Sequence, residues 1–380
     1  MNMLKILIVT MDYPPPMGGI QTFTYDLETG LKKLGHKVEV LNFDSKNINL
    51  LSKFKVRDLF YTPATLHPYF SLMNIAKSSQ PIIRLRNLFY NNLVYRESKL
   101  AIQEFKPDII HLTKSDLFSS VYCSKIPFLV SCHSEELIDI YPVRYSLQNA
   151  SLIHSVSNYA KKKVLQIVPE RVNDINVIYN SVDLSYWKKY RKTDKNNWII
   201  TICRLVKRKN VDSVIKAFGL LPQEFRDRYK YFIIGDGPER QHLENLVKEL
   251  NIQDNVLFLG QVNDKEKTRL LSSSKLFVLC PTLIKNENEG FGITYIESQA
   301  VGVPVLGSNN GGVIDAVGDG GLLVKNELDP QEISTDIQLI LSDQNLYNNL
   351  VTNINKRIRQ FDSSDQVNSI VSMYHKVTNK

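Results

Sequence analysis

Short apolar runs alternate with longer segments of helical period along most of the chain, the pattern of parallel strands joined by crossover helices. In the first half the runs fall at 4–10, 38–42, 108–112, 128–132, 152–156 and 176–178. Residues 22–34 have helical spacing and stop at Gly35, a residue suited to a helix C-terminus. A second set of strands is expected at 198–203, 231–234, 256–259, 276–279, 304–306 and 322–324. The fold class is therefore α/β, with two Rossmann-like doubly wound domains facing a central cleft. The expected division falls into domains over 1–182 and 183–360, with the charge-rich stretch 183–197 as linker. From 329 onward no strand is expected, only two or three helices, and the last, 361–380, packs back on the first domain. Residues 43–106 are less regular.

The length of 380 residues suits two domains. With 43% hydrophobic and 23% charged residues, composition speaks against disorder, collagen and coiled coil. The net charge of +8 favours anionic partners: nucleic acid, phosphorylated small molecules or an anionic membrane surface. Cys123, Cys132, Cys203 and Cys280 form no C-x-x-C pair and read as buried thiols of a reducing compartment. No apolar run approaches about 18 residues, and the first one ends in Asp12 and prolines, so it reads as a strand and not as a signal peptide. The expected location is the cytoplasm.

In open α/β sheets ligands sit at the carboxyl ends of strands, so the loop after each strand carries the candidate chemistry. After the first strand, prolines and the pair Gly18-Gly19 let the backbone approach a ligand, although a tight turn would need the same residues. His133 follows the fourth strand, where an imidazole can donate to a sugar hydroxyl or a developing charge. The basic run CRLVKRKN at 203–210 lies between a strand and a helix; Lys209, expected to open that helix, adds to the positive end of its dipole and suits an anion. IGDGPE at 234–239 reads as a conformational turn. The strongest signal is NEGFGITYIESQA at 288–300: Glu289 in a loop, Glu297 on the second turn of a helix, and between them Gly290, Phe291, Gly292 and Ile293, whose backbone N–H groups can hold a phosphate.

Taken in order, the Gly-Gly loop, VIYNSVD at 177–183, CRLVKRKN, IGDGPE and EGFGITYIE at 289–297 resemble the retaining GT-B glycosyltransferases of family four, the last being that family's E-x7-E motif. The chain departs from the family at Cys203, where glycine is usual, and at Ser181, where it is frequent. The resemblance implies a hexosyltransferase using a UDP- or GDP-sugar, with 1–182 as the acceptor-binding and 183–360 as the nucleotide-sugar-binding domain, Arg204 and Lys209 on the donor diphosphate, Glu289 on the sugar hydroxyls and Glu297 on the ribose. It also implies His133 beside the transferred sugar and Gly18 and Gly19 over the diphosphate. No cofactor beyond the donor co-substrate and no metal are expected, because Arg and Lys can replace a divalent cation there. The acceptor would be a glycan or a lipid-linked sugar of cell-envelope polysaccharide or glycolipid synthesis. Basic and aromatic residues at 81–90 and Lys161 to Lys163 could then meet an anionic inner membrane face, or equally be a core helix with solvated charges. The competing readings are a GT-B-like nucleotide-sugar epimerase or phosphorylase, a basic nucleic-acid-binding protein and a non-catalytic partner subunit. No nucleic-acid motif is present, and nucleic acid is not an expected partner.

Overall fold

The structure, a computed structural model, describes residues 2–14, 18–43, 81–122, 124–284 and 287–378, with side chains omitted for 81–90. The basic and aromatic residues of 81–90, Cys123 and most of the irregular stretch 43–106 therefore lie outside the described side chains. The chain divides into two compact units, one of residues 1–156, 160–178 and 367–380, the other of 157–159 and 179–366.

The first unit holds a parallel sheet of β1 (Lys5–Thr10), β2 (Lys37–Asn42), β3 (Ile109–Leu112), β4 (Phe128–Cys132), β5 (Leu152–Ser155) and β6 (Ile175–Val177), in the order β2-β1-β3-β4-β5-β6. Ile6, Leu7, Ile8 and Val9 are all fully buried, as a central parallel strand requires. The chain moves from β1 outward to β2 and then returns to the other side of β1 for β3, so strand order reverses between β1 and β3. The last helix, Ser363–Thr378, adds Val367, Ile370, Val371, Met373 and Tyr374 to this core. Beneath it runs a buried hydrogen-bonded series: Tyr374 hydroxyl to His111 Nδ1, His111 Nε2 to Ser131 Oγ at 2.7 Å, Ser131 Oγ to His154 Nδ1 at 2.7 Å, and His154 Nε2 to the Ile178 carbonyl at 2.8 Å.

The second unit repeats the plan with β7 (Trp198–Ile202), β8 (Lys230–Ile234), β9 (Val256–Gly260), β10 (Leu276–Leu279), β11 (Val305–Ser308) and β12 (Gly321–Val324), ordered β12-β11-β10-β7-β8-β9 and parallel throughout. Here the order reverses between β7 and β10. The helices Pro330–Ser342 and Gln344–Arg357 close this core with Ile333, Ile337, Ile340 and Leu350.

The stretch 183–197 is not a free linker. It packs as part of the second unit: Leu184 and Trp187 of the short helix Leu184–Lys188 are buried, and Lys195 Nζ donates to the carbonyls of Ser272 and Val301 at 2.8 and 2.9 Å. Its charges conceal two core residues and an ammonium that satisfies buried carbonyls.

Candidate active site

The sheet of the second unit reverses strand order between β7 and β10, the place where open α/β sheets bind ligands at the carboxyl ends of their strands. The first loop there, after β7, turns once as a 3₁₀ segment, Lys207–Lys209, before Asn210 takes a left-handed conformation at φ 53° and the helix Val211–Leu220 begins. Asparagine tolerates that region. Its side-chain amide donates to the carbonyls of Cys280, at 3.0 Å, and Glu327, at 2.6 Å. The Thr282 amide donates to the Arg208 carbonyl at 2.9 Å, so the loops after β7 and β10 are held side by side. Lys209 therefore does not open the helix; it lies in the turn before it.

The turn after β8 packs against the first loop from its other side. Gly235 stands at φ +126°, and a Cβ there would lie 1.8 Å from the Cys203 carbonyl oxygen; one at Gly237 would lie 2.3 Å from that of Leu205. The IGDGPE turn is thus the seat of the basic loop, as a conformational reading of it expects.

Glu289 lies in the loop after β10, and its Oε2 accepts hydrogen bonds from the Lys209 ammonium and, at 3.2 Å, from Arg208 Nη1. Burial pushes the Glu289 carboxyl up, but the charges and hydrogen bonds of Lys209 and Arg208 outweigh it and hold the carboxyl below its ordinary range. The site thus keeps an ionised glutamate between two cations. Arg208 belongs to the basic run, yet nothing in the run distinguishes it as the arginine that turns inward. Arg204, expected beside Lys209, is exposed, and its guanidinium has no ion-pair or hydrogen-bond partner among the described residues.

Backbone contacts fix Glu289 from behind. The Gly312 amide donates to its carbonyl at 2.8 Å, and a Cβ at Gly312 would lie 1.9 Å from the Gly290 oxygen. The Gly311-Gly312 pair after β11 is therefore part of the site's frame, a role the sequence reading missed. Gly292, at φ +90°, precedes the helix Ile293–Ala300, which has no side-chain cap among the described residues and no acidic residue in its first turn. Such a helix start suits an anion. Phe291 turns its side chain into the core, stacked on Tyr179 with ring centroids 5.7 Å apart.

Glu297, on the same helix, is buried and makes its own ion pair: Lys267 Nζ lies 2.8 Å from Oε1, while Oε2 has no hydrogen-bond partner among the described residues. Burial lowers the Lys267 pKa and Glu297 raises it, with a net upward shift. Lys267 is 30 residues away from Glu297 in the chain, and no local pattern announces the pair. The two glutamates of the motif thus sit in separate ion pairs.

The remaining candidates belong to the first unit. Gly18 and Gly19 open the helix Gly19–Lys33, Gly18 in an extended conformation with no side-chain cap. His133 follows β4, is 7% exposed, and has Nε2 shielded without a partner among the described residues. Burial above all, with the nearby His154 and Lys114, pushes its pKa down to about 3, so it is an uncharged imidazole. Of the basic residues considered for a membrane face, Lys163 is turned to the Ser134 carbonyl at 2.8 Å.

Residues 17–186 match the family described as Glycosyltransferase Family 4, and residues 185–357 that described as Glycosyl transferases group 1. A glycosyltransferase of Methanocaldococcus jannaschii is 25% identical over 394 residues, covering 96% of each chain. An alpha-1,4-N-acetyl-D-galactosaminyltransferase of Campylobacter jejuni, whose name carries a PP-undecaprenol-linked GalNAc glycan, is 25% identical over 383 residues with the same coverage. Among solved structures, Anabaena HepE in complex with UDP-glucose superposes with a TM-score of 0.71 at 18% identity, covering 98% of this chain and 100% of that one. That likeness is one of fold. No described helix is long and apolar enough to cross a membrane.

Proposed function

The chain belongs to the GT-B glycosyltransferases of family four, and we propose that it moves a hexose from a UDP- or GDP-sugar to a glycan or lipid-linked acceptor, with retention at the anomeric carbon and without a metal. The observation that carries this reading is the buried Glu289 held between Lys209 and Arg208 at the strand reversal of the second unit. Cell-envelope polysaccharide or glycolipid is the product class, in keeping with the name of the Campylobacter relative.

In this reading the donor diphosphate draws on Lys209, on exposed Arg204 and on the uncapped start of Ile293–Ala300, which together supply the positive charge a divalent cation would otherwise bring. Glu289, kept ionised, accepts hydrogen bonds from the hydroxyls of the donor sugar. Glu297, with one oxygen unpartnered, serves the ribose. His133, uncharged, has an imidazole nitrogen to offer the transferred sugar, and Gly18-Gly19 the diphosphate. The bond from the anomeric carbon to the β-phosphate oxygen breaks while the acceptor hydroxyl oxygen bonds to that carbon from the same face. The hydroxyl proton passes to the departing phosphate, so no enzyme carboxylate is needed as nucleophile. Glu289 and Glu297 belong to one loop and helix and do not form a glycosidase pair.

The test is a melting-temperature screen with UDP-, GDP-, ADP- and dTDP-sugars, with and without EDTA, followed by assay of free nucleotide. A true donor stabilises by mass action, and stabilisation untouched by chelator is expected from one nucleotide class. No shift across the panel, or a shift abolished by EDTA, would overturn the donor or the metal-independent part of the reading respectively.

A further inference from the structure

The first unit carries a polar cluster that no step above uses, placed where its own sheet reverses strand order between β1 and β3. Loops diverge at such a reversal and leave a crevice at the carboxyl ends of the strands. Asp12 follows β1, Lys114 and Asp116 follow β3, and Glu136 follows β4.

Asp12 is satisfied on both oxygens: Lys114 Nζ lies 3.5 Å from Oδ2, and Gln21 Nε2 donates to Oδ1 at 2.9 Å. The other two carboxyls are not. Glu136 Oε1 accepts from the His133 amide at 2.7 Å, but Glu136 Oε2 and Asp116 Oδ1 are shielded from solvent and without a hydrogen-bond partner among the described residues. Glu136 is only 8% exposed. A buried oxygen left without a donor is costly, so two kept at the carboxyl ends of the neighbouring strands β3 and β4 point to donors that arrive with a ligand.

The charge balance says what that ligand is. Lys114, Asp116, Glu136 and Asp12 act on one another, three carboxyls against one ammonium. Burial raises Glu136 to about 7 against the pull of the His133 amide, and burial raises Asp116 against the pull of Lys114. A further anion would meet repulsion here and find Lys114 already shared. A cation would meet Lys114, and among the described residues no three or more His, Cys, Asp or Glu side chains are placed so that they could hold a metal ion together. A sugar ring, by contrast, brings several O–H donors and no charge.

We propose that Asp116 and Glu136 form an acceptor subsite that binds the hydroxyls of a neutral sugar and rejects a sugar carrying phosphate or carboxylate at that place. This deepens the transferase reading and rests on it for the word acceptor. A lipid-linked acceptor would enter by its sugar end, its phosphates outside this subsite.

Saturation-transfer NMR on the full chain tests this without any donor. The probes are methyl α-D-glucopyranoside and methyl α-D-mannopyranoside against glucose 6-phosphate and glucuronic acid. The neutral sugars should bind at least tenfold more tightly than the anionic ones. Asp116→Asn and Glu136→Gln, each keeping size while removing charge, should narrow that discrimination to within threefold, and Lys114→Met should widen it. The opposite signs are a readout that loss of structure cannot mimic, and if one variant fails to fold the other two still decide. Anionic sugars binding as well as neutral ones, unchanged discrimination in the variants, or no sugar bound by the folded protein would each overturn the subsite. Nucleotide release measured on the same samples separates the two readings: sugar binding with no nucleotide-sugar turnover removes the transferase reading and leaves the subsite, whereas turnover that favours an anionic acceptor removes the subsite alone.

Discussion

Replacing Glu289 with glutamine preserves its size and one accepting oxygen and removes its charge. Lys209 and Arg208 keep their charges, and with side chains 15% and 9% exposed, neither is well reached by water. Breaking a buried ion pair from one side costs about 3–5 kcal/mol because the remaining charge stays desolvated. The residual exposure and the amide oxygen place the expected loss at the low end, about 3 kcal/mol. For a unit of this size that is a Tm lower by roughly 6–12 °C. Lys209→Met alone should cost about 1–2 kcal/mol, since Arg208 still partners the carboxylate. In the double variant the two losses overlap, giving a coupling of about 1–2 kcal/mol. The chain's two tryptophans, Trp187 and Trp198, both lie in the second unit, so urea unfolding followed by tryptophan fluorescence reads this unit alone. A Glu289→Gln protein as stable as its parent, or a coupling below about 0.5 kcal/mol, would refute the claim that carboxylate and cations stabilise one another.

Acid should weaken the first unit. Burial is the main cause that holds His133 near 3, His154 near 4 and His111 well below its ordinary value, so the unfolded chain binds more protons below about pH 6.5 and stability falls as pH drops through that point. Glu136, raised to about 7, contributes in the opposite sense, its stabilisation fully present below about pH 4.5 and lost as pH rises through 7. His36, also lowered by burial, and Asp116, also raised by it, add one group to each side, so four imidazoles against two carboxyls leave a net loss of roughly 2–3 kcal/mol per pH unit near pH 5, to be read from hydrogen exchange in β4 and β5; a flat response would mean charged imidazoles. Gly235→Ala should cost about 3–4 kcal/mol, from positive φ together with the collision with Cys203, and should weaken donor binding through the basic loop. Gly35→Ala, at φ +86° with nothing within 4 Å, is its control at about 1 kcal/mol, and equal losses would show that the collision is unimportant. Tyr374→Phe removes the hydroxyl bonded to His111 and should cost about 1–3 kcal/mol by leaving a buried ring nitrogen unsatisfied; melting of the first unit unchanged by the substitution would contradict that.

The sheets were legible because parallel strands buried on both faces are written as uninterrupted apolar runs, and Gly235 and Gly237 because a sharp turn requires glycine. Glu289 was legible from the unusual Gly-rich entry to its helix. What could not be read shares one property: it depends on which way a side chain turns after the chain has folded. Three adjacent basic residues, 207–209, look alike in sequence, yet Arg208 and Lys209 are drawn inward by a glutamate about eighty residues later. Lys267, Gly311 and Gly312 acquire their roles only from what β10 and β11 bring next to them. Residues 183–197 misled because charge dominates their composition while Leu184 and Trp187 anchor them. In the first unit, Asp116 and Glu136 come from separate loops, and no spacing between them is informative.

The buried series beneath the last helix has a direction. The Ile178 carbonyl can only accept, so His154 Nε2 must carry a hydrogen, and its neutral ring leaves Nδ1 as an acceptor. Ser131 has one hydrogen and must give it to that nitrogen, hence it receives one from His111 Nε2, whose Nδ1 in turn receives the Tyr374 proton. A single carbonyl thereby dictates both histidine tautomers and both hydroxyl rotors. The series is polarised end to end, and it links the last residue before the chain leaves the first unit, Ile178, to the helix that brings it back. One added proton on either ring would turn the neighbouring hydroxyl from donor to acceptor and take away the bond its own hydrogen makes, so the departing and returning segments are joined by an arrangement whose full set of bonds needs one distribution of hydrogens.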